Sequence, residues 1–157
     1  MKSGLRRQVF DKRLHAKSNP WQQENTMPIL HTFARFAVDD FNRSVSAFES
    51  LTASSALRFP YGDWQTALVG DILLVWIPSA QKPSYTVQAV CAVDDLEEIL
   101  RTTKNHGATC ITGPKDAPLG RNFIAQHADG MIIEYVQLRH EFAALLADHT
   151  TAVPARD

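Results

Sequence analysis

The chain has 157 residues, 45% of them hydrophobic and 21% charged, with a formal net charge of −1, which suits one soluble domain or two small modules sharing a core. No apolar run approaches the roughly 18–20 residues that span a bilayer, and the basic start lacks a signal-peptide core, so the sequence points to a cytoplasmic protein without a membrane partner. Residues 1–27 carry six Lys/Arg against two acids, whereas the rest carries 10 basic and 15 acidic groups, a body with no basic face for phosphates and hence no nucleic-acid partner.

Residues 1–27 read as a flexible N-terminal extension. Alternation over 30–38 predicts a strand, with Leu30, Thr32, Ala34, Phe36 and Val38 on one face and His31, Phe33, Arg35 and Ala37 on the other. Asp39 and Asp40 follow as an N-cap region, and Phe41, Val45, Phe48 and Leu51 recur at helical spacing. A short strand at 55–59 and a turn at 60–63 lead to adjacent strands at 64–69 and 71–77, separated by Gly70. A polar, proline-bearing linker fills 79–84.

The order then repeats. A strand is predicted at 85–93, followed by Asp94 and Asp95 as caps and a helix at 96–106 with Leu96, Ile99, Leu100 and Thr103 inward. Gly107 closes that helix. A strand at 108–112, a loop at 113–120, a strand at 121–126, a turn at 127–130 and a strand at 131–138 complete the series. Residues 140–149 form a short amphipathic helix before a polar tail. Cys91 and Cys110 lie in apolar runs and read as reduced core residues.

Each half therefore reads β-α-β-β-β. "AVDDF" at 37–41 and "AVDDL" at 92–96 are 55 positions apart, and Gly70 before "DILLVWI" matches Gly130 before "MIIEYVQ" at an offset of 60. Units of this size bury too little surface alone, so the modules 28–78 and 85–138 are expected to pack on each other, with 139–157 as a C-terminal helix and tail.

The segment "GPKDAPLGRNFIAQHADGMIIEYVQ" is similar to the closing hairpin of the vicinal oxygen chelate superfamily, which includes glyoxalase I, extradiol dioxygenases and bleomycin-resistance proteins. "AVDDFNRSVSAF" resembles the strand-to-helix passage of its first module, and the likeness spans about 30–138. The resemblance implies an α+β fold of two βαβββ modules forming a curled, cup-shaped mixed sheet. It also implies a small organic ligand in the cup and a homodimer.

In the metal enzymes of that superfamily, ligands come from the first and last strand of each module. The carried-over positions are Phe33 and Gln88, eight residues before each helix's first apolar residue, and Leu74 and Glu134, four after each hairpin glycine. Phe33 and Leu74 donate no lone pair, so the expectation is no cofactor and no metal. The alternative is one divalent metal ion held by His31, Gln88 and Glu134, since "ILHT" resembles the "LHT" of bacterial glyoxalase I and a bulge would bring His31 inward. That reading makes the protein a glyoxalase-like lyase or isomerase, or a dioxygenase.

By parity the cup is lined by Phe33, Arg35, Ile72, Leu74, Trp76, Gln88, Val90, Ile132, Glu134 and Val136. Arg35 and Glu134 either pair with each other or meet a ligand, and without a metal Glu134 serves as a catalytic general base. Trp64, Tyr61 and Trp76 are either core aromatics or a stacking site. The predicted ligand-binding set is Phe33, Arg35, Leu74, Trp76, Gln88 and Trp64. His127 is read as exposed, and Arg121 as bracing the module edge. No nucleophile elbow, P-loop or dinucleotide fingerprint is present.

Overall fold

The structure, a computed structural model, describes residues 28–151, with side chains to residue 149; the expectations for residues 1–27 and for the tail beyond 151 lie outside the described residues. The first module runs β1 (Ile29–Ala37), α1 (Phe41–Thr52), β2 (Leu57–Tyr61), β3 (Trp64–Val69) and β4 (Ile72–Trp76). The second runs β5 (Ala89–Val93), α2 (Leu96–Asn105), β6 (Thr109–Ala117), β7 (Gly120–Gln126) and β8 (Ile132–Leu138), followed by α3 (His140–Thr151).

The two repeated pentapeptides do the same local work. Asp40 Oδ1 accepts the Arg43 N–H at 3.1 Å, and Asp95 Oδ1 accepts the Glu97 and Glu98 N–H groups at 3.0 Å each. Each aspartate thereby satisfies donors that a helix start leaves without partners. Both helices then bury the residue that follows the cap, Phe41 and Leu96.

The described strands form one eight-stranded sheet in the order β2-β3-β4-β1-β5-β8-β7-β6, curled into a half-barrel. The modules join at the antiparallel β1–β5 pair, flanked by the parallel pairs β1–β4 and β5–β8. One sheet face is covered by α1, which packs Phe41 and Val45 on Ala67, Val69 and Leu74, and by α2, which packs Leu96 and Ile99 on Phe123, Ala125 and Tyr135. The opposite, concave face holds Phe33, Leu68, Val90 and Val136, with Leu146 of α3 packed against them. These two layers are the core arrangement expected when half-size modules share one sheet.

Some elements differ from the sequence expectation. The predicted 85–93 strand is shortened to β5, although the Gln88 N–H still donates to the Ile132 carbonyl at 2.9 Å. The predicted loop at 113–120 is strand up to Ala117, with register shifts between Cys110 and Lys115. Pro114 is tolerated there because β6 is an edge strand, where a missing N–H removes no ladder bond. Leu51, which shares the helical spacing of Phe41, Val45 and Phe48, is 74% exposed. His127, predicted exposed, is half-buried and lies 2.7 Å from the Tyr135 hydroxyl. Arg121 bonds Glu97 of α2 at 3.1 Å, on the helix side of the sheet and away from the cup.

Candidate functional site in the cup

Strand parity decides what the cup presents. In the parallel β1–β4 pair, Arg35 lies beside Leu73, and Phe36 beside Leu74. Paired residues share a face, so Leu73 and Val75 look into the cup with Arg35. Ile72, Leu74 and Trp76 instead pack under α1, which corrects the predicted placement of these three residues. β4 is apolar on both faces, so its sequence carries no alternation to read.

The same register corrects the position expected to match Glu134. Glu134 pairs with Val90, whose counterpart 55 residues earlier is Arg35, and Arg35 pairs with Leu73. The first-module equivalent is therefore Leu73 and not Leu74. The two hairpins differ in length, closing at Val69–Ile72 and at Gln126–Ile132. The glycine used as a ruler thus sits at a different point in each.

The alternative trio His31, Gln88 and Glu134 is not brought together. The ladder does shift register between Ile29 and His31. Yet His31 turns to the β3–β4 hairpin, with Nε2 2.8 Å from Asp71 Oδ1 and its ring centre 4.4 Å from that of Phe33. It stands opposite Ala92, two residues, or roughly 6–7 Å, along β1 from the level of Phe33, Val90 and Glu134. Gln88 is exposed and its Oε1 accepts the Ile132 N–H at 2.7 Å. Metal bonding needs three or more donors within about 2.0–2.2 Å of one point, and this arrangement does not fit an ion. Among the described residues, no other cluster of three His, Cys, Asp or Glu does either.

The strands do bring together a different group. Arg35 Nη1 and Glu134 Oε2 are 3.8 Å apart, with side chains only 9% and 14% exposed. Glu134 Oε1 accepts the Asn122 Nδ2–H at 2.7 Å. Arg35 also lies over the Trp64 ring, 5.8 Å from its centre, and the Tyr61 and Trp64 rings are 5.2 Å apart. Trp64 is held from outside by its Nε1–H, which donates to Gln81 Oε1 at 2.8 Å. Thr66, also in the chamber wall, has its Oγ1–H occupied by the Phe59 carbonyl. Burial pushes the Tyr61 hydroxyl up to about 12, the Glu134 charge adds to the rise, and Arg35 and the neighbouring Asn122 amide oppose it.

Asn122 was missed by the sequence reading. Its signal was available: a polar residue at a position of "RNFIAQ" whose neighbours Phe123 and Ala125 are core. Asn122 is 4% exposed, and its Oδ1 is buried without a hydrogen-bond partner.

Arg35, Tyr61, Trp64, Asn122 and Glu134 bring the polar groups to a largely hydrocarbon-walled chamber of about 50 Å³, the polar chamber of the cup. Leu73, Val90, Leu119 and Val136 separate it from an apolar chamber of similar volume, closed by Phe142, Leu145 and Leu146 of α3. Beyond Arg35 a wider cleft of about 150 Å³ opens between β1 and the linker, past Lys82 and Tyr85. Of the predicted binding residues, Phe33, Arg35 and Trp64 line the cup, Gln88 stands exposed at its edge, and Leu74 and Trp76 lie on the helix side.

No protein-family model matches the chain, and no curated protein matches it significantly. Solved structures do. An uncharacterised protein from Methanosarcina mazei is 34% identical, with a TM-score of 0.65 over 72% of this chain and 95% of its own. Methylmalonyl-CoA epimerase from Mycobacterium tuberculosis is 16% identical, with a TM-score of 0.55 over 76% of this chain and 95% of its own; at that identity it speaks to the fold alone. A glyoxalase/bleomycin resistance protein/dioxygenase superfamily member from Vibrio splendidus 12B01 is 16% identical, with a TM-score of 0.46 over 68% of this chain and 97% of its own.

Proposed function

We propose that the chain is a member of the vicinal oxygen chelate superfamily, whose fold it shares, and that it binds a small organic molecule in its cup without a metal, sequestering the molecule as resistance-type binding proteins do. The observation that carries this reading is the polar chamber itself. Arg35 and Glu134 balance each other's charge beneath the Trp64 and Tyr61 rings. The first-module positions that would bear metal ligands, Phe33 and Leu73, present hydrocarbon. Arg35 and Trp64 contact the ligand in this reading, and Phe33 forms the floor of the adjoining chamber.

Glu134, offered by the sequence as a general base, has one oxygen on Asn122 and the other facing Arg35. In this reading those two contacts give Glu134 the role of holding the site together. Metal analysis of protein purified without chelator tests the proposal. We expect no stoichiometric metal and no change in melting temperature on adding Zn, Ni, Mn or Fe. Stoichiometric metal, or a melting temperature raised by one of these ions, would overturn it.

A further inference from the structure

The buried Asn122 amide specifies more about the ligand than the aromatic rings do. Its orientation is fixed by charge. Glu134 Oε1 is 2.7 Å from Asn122 Nδ2; turning the amide over would set two acceptor oxygens against each other at that distance. The carbonyl oxygen Oδ1 is thus held away from Glu134. It is buried and accepts no hydrogen bond from any described residue. Buried acceptors are nearly always satisfied by a protein group, a water or a ligand.

The charges around it are already matched. Arg35 and Glu134, both largely buried, face each other at 3.8 Å. An anionic ligand would compete with Glu134 for Arg35, and a cationic one would compete with Arg35 for Glu134; either leaves a buried charge without its partner, which is costly. A neutral group disturbs neither. The two chambers are each about 50 Å³, which excludes any group larger than a single ring, and the Trp64 and Tyr61 rings flank the polar one with flat apolar surface.

Resting on the reading that the cup is the ligand site, we propose that it selects an uncharged, planar, ring-sized group bearing a hydroxyl or N–H donor, and that this donor bonds Asn122 Oδ1. Glu134 is then a positioning residue: it aims the amide and does not touch the ligand.

The test is a titration of the full chain with three matched single-ring probes: phenol, anisole and benzoate. Binding is followed by NMR of the Asn122 side-chain amide and the Trp64 indole. Phenol is expected to bind at least about tenfold more tightly than anisole, which lacks the donor, and more tightly than benzoate, which brings a charge. In Asn122→Leu, the preference for phenol over anisole should disappear. Saturable shifts at Trp64 that are equal for phenol and anisole, or strongest for benzoate, overturn the donor inference and leave cup binding standing. No saturable shift at Trp64 with any probe sinks the cup reading itself, and the donor inference with it. The probe comparison uses the unaltered protein, so the outcome does not depend on the variant folding.

Discussion

Tyr61 and Tyr135 lie on opposite faces of the sheet, one in the cup and one beneath α2, yet burial acts on both hydroxyls in the same way. Each is pushed up from 10.0 to about 12, chiefly by desolvation. Unfolding returns both to the ordinary value, so the unfolded chain gives up these protons first. Stability from the two groups is complete below about pH 10 and is lost as the pH rises through 12. Urea midpoints should therefore fall between pH 10 and 12, after an earlier loss from the Cys91 thiol, which burial also raises above its ordinary value. Tyr135→Phe should flatten part of that fall, although it also removes the bond to His127 at every pH. A midpoint as high at pH 12 as at pH 9.5 would contradict this account.

Among the elements, α3 has the most direct bearing on the cup. Phe142 and Leu146 cover the apolar chamber, while Leu145 remains 42% exposed. A half-buried apolar side chain of this kind contributes about 1–2 kcal/mol. The double variant Phe142→Ser/Leu146→Ser should release the helix from the cup, open the chamber over Phe33 and Leu68, and raise the fluorescence of an apolar dye several-fold, with the β signal in circular dichroism retained. Unchanged dye binding would mean that α3 does not limit access. Gly120 acts at the same scale: a Cβ there would collide with the Gln137 carbonyl, so the glycine lets β7 lie close against β8 and keeps Asn122 within reach of Glu134.

At the scale of the whole molecule, the seam between α1 and α2 leaves the outer face of β1 largely uncovered among the described residues. Leu30 is 60% exposed and Phe36 is 47% exposed although it stacks on Phe48. A central strand with exposed apolar residues is an unusual surface for a lone chain. We propose that a second copy of the chain covers it. Light scattering should give twice the chain mass, and Phe36→Glu should shift the protein toward a monomer with the fold intact. A monomer at high micromolar concentration would end that reading. Among the described residues, no helix is long and apolar enough to cross a membrane.

The amino-acid sequence determined what is encoded within a few residues. The repeated "AVDD" joints located two caps, because an aspartate before a helix bonds N–H groups only two or three positions away. Alternation located β1 and its inward Phe33 and Arg35, because the outer face of that strand is wet and the inner face is not. Repetition of element order gave the two-module architecture. Where both faces of a strand are buried, alternation is silent, and the Leu73–Leu74 choice on β4 was settled only by the register with β1. The site itself belongs to the tertiary structure. Arg35, Tyr61, Asn122 and Glu134 come from β1, β2, β7 and β8, and no local pattern states that these strands meet. Sheet closure brought the four together, and with them the oxygen, Asn122 Oδ1, that among the described residues is buried in the cup without a partner and gives it a chemical preference.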